Sequence, residues 1–414
     1  MEKDLMKKYA EVVLRKGINL YKGQCLSIGA GPDDMEIAMV LEEEAYRLGA
    51  KYVDLSIKSN RSAMARIRHS NPGDLPFLPS YVAAEVNERI AHDWASIRID
   101  NTGEIGVLSK ADPTLLDTLF RATRVARKRY LETASRHIVT WCVIASPNQK
   151  WAAEVMKTAD DDIESYVIFD HIVQSILRLD QPDPVAAWAA HEEALRKRCA
   201  RLNGLGLDRL VFQSEGTDLT IGLTPNSVFE GGAKETPDGR AFIPNLPTEE
   251  VFTTPDYRRT EGTVRCTRPV RVMETELSGV WFAFKNGRVE DFGADSGREV
   301  LANFLNTDDG SRYLGEVALV DKSSPIYQSG LVFNSILFDE NASCHIALGK
   351  GYPSCLRNGM SLNTDEALRS EGCNTSLVHT DFMIGSDDLV VTGVDRNGAP
   401  VPIIENGTFV KDFE

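Results

Sequence analysis

No stretch of this sequence approaches the roughly 18 consecutive apolar residues that a membrane-spanning helix needs, so a membrane partner is not expected. An apolar signal core is missing too. Met1-Glu2-Lys3-Asp4 leads straight into an amphipathic pattern, and no export signal is expected. Cysteine is sparse and scattered: seven residues between Cys25 and Cys373, an odd number without close pairing. That pattern predicts free thiols in a reducing, cytoplasmic compartment rather than a disulfide framework. Without secretion, Asn-x-Ser/Thr triplets such as Asn406-Gly407-Thr408 are chance matches. Positive charge is in deficit. The net charge of −15 repels a phosphate backbone, so no nucleic acid is expected as a partner. No internal repeat or low-complexity tract interrupts the chain. What is left is an ordinary globular composition, 42% hydrophobic and 26% charged. The 414 residues suffice for two or three domains with a substantial core.

Residues 2–16 carry Leu5, Met6, Tyr9, Val12 and Val13 at helical spacing, and Gly17 stops that helix. Cys25-Leu26-Ser27-Ile28 reads as a strand, followed by a helix near 33–48 that ends at Gly49, then by strand-like alternation over 51–57. A long helix is predicted across 114–134 and a buried strand over 138–144. Two helices follow near 162–179 and 184–202, parted by Asp180-Gln181-Pro182-Asp183-Pro184. This alternation predicts an α/β domain over residues 1–203, with helices layered on a sheet. After Gly204-Leu205-Gly206 the texture changes to strands and tight turns. Asn286-Gly287, set between Val280-Trp281-Phe282-Ala283-Phe284 and Arg288-Val289-Glu290-Asp291-Phe292, is a hairpin signal. Asn397-Gly398 and Asn406-Gly407 repeat it. A β-rich α+β domain is predicted over 204–414.

Three motifs carry less than they promise. Gly29-Ala30-Gly31 invites a dinucleotide-binding reading, but the third glycine of that fingerprint falls on Asp34, whose charge repels a pyrophosphate. His191-Glu192-Glu193-Ala194-Leu195 begins like a helical zinc motif and has leucine where the second histidine must stand; it reads as a solvated helix face. Cys344, Cys355 and Cys373 lack C-x-x-C spacing, which argues against a structural zinc knot.

The informative feature is the placement of acids and histidines in the second half. His379-Thr380-Asp381 lies in a strand-like run, so its imidazole and carboxylate share a face. Glu316 opens the apolar strand Glu316-Val317-Ala318-Leu319-Val320. Glu340 and His345 are five residues apart and converge only through a turn. In Pro247-Thr248-Glu249-Glu250-Val251-Phe252, an extended backbone turns Glu249 and Glu250 to opposite sides, so one of them at most serves a given site. Desolvating so many carboxylates is costly unless cations balance them. Oxygen-rich sites with some imidazole suit zinc, cobalt, manganese or similar ions, and two of them about 3.5–4 Å apart fit this inventory.

Five runs then join these positions: Ser214-Glu215-Gly216-Thr217-Asp218-Leu219-Thr220, Pro247 to Thr253, Leu314 to Val320, Phe338-Asp339-Glu340-Asn341-Ala342, and His379 to Gly385. In this order and spacing they resemble the thermophilic-type metallo-aminopeptidase family, the leucyl aminopeptidase T group (M29-like). The likeness is strongest over 207–395 and is visible again from the amino-terminal helix to Ala50. The resemblance implies a homodimer that releases N-terminal residues from peptide substrates with a free N-terminus, through water activated by two divalent metal ions. Zinc or cobalt is implied first, with manganese or magnesium as alternatives. It carries the metal ligands onto Glu250, Glu316, Glu340, His345, His379 and Asp381, and the active-site tyrosine onto Tyr352. Glu316 is expected to bridge the ions and shuttle a proton, and Tyr352 to stabilise the oxyanion. Glu249 is an amine-binding acid only if its strand bends. Before Tyr352 a small residue such as alanine is expected, and Gly351 there loosens the loop. Two other readings stand beside this one: another two-metal hydrolase acting on esters, amides or phosphates, and a catalytically silent metal-stabilised binding protein.

Overall fold

The computed structural model describes residues 1–272 and 275–413. The chain forms two compact units, Met1–Ala190 with Ala233–Pro247, and His191–Gly232 with Thr248–Glu414. Against the boundary expected near 203, the helix Pro184–Gly204 is divided between them.

The first unit is α/β. Its parallel sheet has the order Tyr52–Ile57, Cys25–Ala30, Ala95–Ile99, Trp141–Ile144, Asn245–Leu246. The last strand explains why 233–247 belongs here: Asn245 and Leu246 extend the sheet beside Val143 and Ile144, and the Ile243 N–H donates to the Lys16 carbonyl at 2.9 Å. The long helix, Pro113–Ser135, starts where its chemistry dictates. Pro113 occupies the first turn, and the Asp112 carboxylate accepts from the N–H groups of Thr114 and Leu115. The strand expected over 138–144 is confined to Trp141–Ile144. Ile138 is exposed, and His137, at φ 54°, turns the chain just before it. The strand Ala95–Ile99 and the helices Asn60–His69, Tyr81–Ala91 and Gln149–Met156 complete the unit beyond the elements expected from the sequence.

The second unit is strand-rich. One antiparallel sheet of eight strands includes Thr217–Gly222, Leu207–Ser214 and Val390–Asp395 at its centre. The hairpin at Asn286-Gly287 is present, with φ of 49° and 81°, the left-handed pair that a two-residue turn needs. A second antiparallel sheet has four strands, in the order Val251–Thr253, Leu314–Leu319, His345–Gly349, His379–Met383. Val317, Ile346 and Phe382 on one of its faces join the core that also contains Phe212, Leu219 and Phe282. The Phe282 and Phe382 rings meet edge to face at 4.9 Å. The opposite face of this small sheet is therefore free to carry polar chemistry.

In the first unit, Asp34 occupies the place where a nucleotide fingerprint would have glycine. It is buried, and burial together with the charges of Asp33 and Asp100 pushes its carboxyl up to about 7. A folded-state pKa above the unfolded value means that stability is lost as pH rises from about 4 toward 7. Asp34→Asn removes that loss, so its advantage in Tm over the unmodified chain should grow between pH 5 and pH 8. A difference that stays constant across that range would contradict the raised pKa.

Candidate metal centre

The four-stranded sheet sorts its side chains by alternation. Val251, Val317, Leu319, Ile346, Leu348 and Phe382 enter the core. The residues between them face the other way: Phe252, Glu316, Ala318, His345, Ala347, His379 and Asp381. Leu314 also lies in the core, so strict alternation would carry Glu316 into the core beside it. A bulge prevents this. Leu314 pairs with Leu348 while Glu316 pairs with the adjacent Ala347, leaving Gly315 as the extra residue that turns Glu316 to the polar face. Only glycine fits there, because a Cβ would strike the carbonyl oxygens of Gly349 and Lys350. Across the strands Ala347 stands between Glu316 and Asp381, and Ala318 stands beside His345. Two alanines thus leave room where four longer side chains converge.

These side chains form two groups that share one member. Glu250, Glu316 and His345 each offer a ligand atom within 4.8 Å of the others, and so do Glu316, His379 and Asp381. His345 Nε2 is 3.1 Å from Glu250 Oε2. His379 Nε2 is 3.2 Å from Glu316 Oε2 and 3.4 Å from Asp381 Oδ1. The acid at the mouth of the strand is no solvated end, since Glu316 is only 3% exposed.

The imidazoles are oriented from behind. Nδ1 of His345 lies 3.2 Å from the Ser343 carbonyl, and Nδ1 of His379 lies 2.7 Å from that of Lys350. A carbonyl only accepts, so each Nδ1 carries a proton, and whenever the ring is neutral its Nε2 lone pair faces the carboxylates. Glu250 Oε2 and Asp381 Oδ1 are themselves buried, with those Nε2 atoms as their near polar neighbours. Lone pairs therefore face lone pairs, an arrangement that a cation between them satisfies. Protons partly stand in for it. Burial opposes charge on His345, but the hydrogen bond and charge of Glu250, with Asp381 and Glu316, outweigh burial and push the imidazole up to about 10. His379 is raised likewise, against burial, by Asp381 and Glu316. Burial, then the acids around it, raises the Glu316 carboxyl against the pull of His379. For Asp381 the charge and hydrogen bond of His379 overcome burial and lower it. Carboxylate oxygens and imidazole nitrogens without thiolates fit zinc, cobalt or manganese better than copper(I) or iron–sulfur groups.

A family model described as thermophilic metalloprotease (M29) matches residues 2–409. The chain belongs to this family. It is similar to aminopeptidase 2 of Geobacillus stearothermophilus, with 36% identity over 99% of this chain and 98% of that protein. Its similarity to aminopeptidase T of Thermus thermophilus is 35% over 98% of each chain. A solved structure described as wild-type AmpT from Thermus thermophilus superposes with a TM-score of 0.91 at 34% identity, covering 99% of both chains.

Of the positions that the M29 pattern selects, Glu340 lies outside both groups. It sits on the turn Glu340–Ala342, half-buried. Burial, then the charges of Glu250 and Asp381, raises its pKa well above the usual carboxylate range. His345 meets Glu250 rather than Glu340, its neighbour in sequence. Tyr352 reaches the second group, its hydroxyl 3.3 Å from His379 Nε2. Desolvation by its surroundings, then the charges of Glu316, Asp381, Glu340 and Glu250, raises the phenol well above its ordinary pKa, so it stays a hydrogen-bond donor at neutral pH.

The loop before Tyr352 is anchored rather than loosened by Gly351. The Gly351 N–H donates to Asn374 O at 2.9 Å, and a Cβ there would meet Cys373 Sγ at 2.9 Å and Thr254 Cγ2 at 3.0 Å. Thr254 Oγ1 accepts from the Tyr352 N–H at 2.8 Å and donates to the Tyr352 carbonyl at 3.1 Å. His191 is not on a solvated helix face: it is half-buried, with Nε2 3.3 Å from Glu249 Oε2 and 2.8 Å from Thr248 O. Glu249 and Glu250 do face opposite ways, one to His191 and the other to His345.

Proposed function

We propose that the chain is a metal-dependent aminopeptidase, releasing N-terminal residues from peptides with a free α-amine. In this reading two divalent ions, zinc or cobalt before manganese or magnesium, are held by Glu250, Glu316, Glu340, His345, His379 and Asp381. The observation that carries it is Glu316, which belongs to both groups of converging ligand atoms in a chain whose M29 relatives are named aminopeptidases. When bound, such ions supply Lewis acidity toward the scissile carbonyl and bring the pKa of water toward neutrality. The residues of the chain do the rest. Glu316, at the shared point, would be the ligand common to both groups and would carry the proton between water and the leaving amine. Tyr352 donates its hydroxyl proton in a hydrogen bond to the carbonyl oxygen as negative charge develops there. Glu249, turned to His191, is not assigned the amine. The seven free thiols suit a reducing, cytoplasmic setting, and the homodimer comes from the family resemblance.

Exhaustive chelation should abolish release of residues from leucyl and other aminoacyl anilides and peptides, and cobalt, zinc or manganese should restore it. Peptides acetylated at the amino end should resist. Light scattering on the same preparation should give a dimer. Full activity at near-zero metal content would contradict the metal reading, and equal rates on blocked and free peptides would instead indicate an endopeptidase or a general amidase.

The Tyr352 hydroxyl is needed mainly when charge develops on the oxygen. Tyr352→Phe should leave fold and metal content intact while lowering kcat by about 10²–10³, with KM moving much less. A phenol that only packed against Phe252, whose ring lies 5.5 Å away edge to face, would make the substitution nearly silent.

A further inference from the structure

We propose that Asn341, together with His191, is a positioning residue that fixes the Glu250 segment and the Glu340 carboxylate relative to one another. This inference rests on the metal reading above. Asn341 is fully buried. Its Oδ1 accepts from the Glu249 N–H at 2.7 Å, while its Nδ2 donates to the Leu337 carbonyl at 3.0 Å and to Glu340 Oε1 at 3.4 Å. These partners force the orientation of the amide: an N–H needs the oxygen, and a carbonyl and a carboxylate need the nitrogen. One rigid side chain thus links the residue before Glu250 to the carboxylate of Glu340.

His191 grips the same segment from the other side. Its Nε2 lies 2.8 Å from the Thr248 carbonyl, which only accepts, so Nε2 carries a proton, and it is also 3.3 Å from Glu249 Oε2. The peptide group between Thr248 and Glu249 is therefore held at both ends, its N–H by Asn341 and its carbonyl by His191. With Glu249 drawn to His191, alternation delivers Glu250 to the opposite side, where its Oε2 meets His345. Groups that orient metal ligands in this way typically contribute 10–100-fold in metal affinity. Neither residue touches the converging Nε2 atoms, so both act through the ligands.

The test is cobalt titration of the metal-free full chain by calorimetry, with the visible cobalt spectrum recorded in parallel and Tm measured separately. Asn341→Ala should weaken cobalt binding by roughly 10–100-fold and shift the absorption bands. Ser324→Ala serves as the control. Its Oγ donates to the Asn341 backbone carbonyl at 2.7 Å, so it removes a buried hydrogen bond at the same place without releasing Glu249 or Glu340; Tm should fall while affinity holds. His191→Phe should weaken cobalt binding and His191→Gln, which keeps a donor, should restore it. The proposal is overturned if Asn341→Ala binds cobalt like the unmodified chain, or if affinity merely tracks Tm across the four variants. An unmodified chain that binds no cobalt would overturn the metal reading itself, and this inference with it.

Discussion

Crowding of acids in a poorly hydrated place is the constraint on which the rest of this structure turns. Glu250, Glu316 and Asp381 are each at most 8% exposed, and their ligand atoms share two clusters with His345 and His379. Carboxylates removed from water at this density repel one another and lose hydration that the two imidazoles replace only in part. Positive charge has to enter. Protonated imidazoles and carboxylic acids are the response available to the chain alone, which is why the pKa values of Glu316, Glu340, His345 and His379 all move upward. Divalent cations do the same with better geometry, because they satisfy the Nε2 lone pairs as well.

The surrounding structure reads as the means of imposing that crowding. The apolar face of the small sheet is locked into a core with Phe282 and Phe212, so its other face cannot turn away. The Gly315 bulge redirects Glu316, and Ala347 and Ala318 keep the middle open. Asn374, fully buried, donates to the carbonyls of Gly310 and Gly349 at 2.8 and 2.7 Å. That steadies the turn leading to Tyr352. Each device is a local choice of residue with a global consequence, and each holds backbone rather than contributing chemistry.

Much of the fold was legible because the periodicities are strong: the helices near the amino terminus and over 113–135, and the Asn-Gly hairpins. The shared face of His379 and Asp381 was legible for the same reason, as was the opposed facing of Glu249 and Glu250. Other features depend on partners distant in sequence. That His345 would meet Glu250 instead of Glu340 follows from strand order. That His191 would leave solvent for Glu249 follows from the packing of its helix near Thr248, which its own helix does not announce. Gly315 inside an apolar strand was a readable bulge signal. Asn341 gave no signal at all, since a single asparagine reveals its role only once both of its partners are in place.

The proposal tested most directly is that Glu316 would serve as a metal ligand common to both groups, the one with Glu250 and His345 and the one with His379 and Asp381. X-ray diffraction from crystals grown with cobalt or zinc, collected on both sides of the metal absorption edge, tests this directly. Two anomalous peaks are expected, one at each group, with the Glu316 carboxylate touching both. A single peak, or peaks away from Glu316, would contradict it.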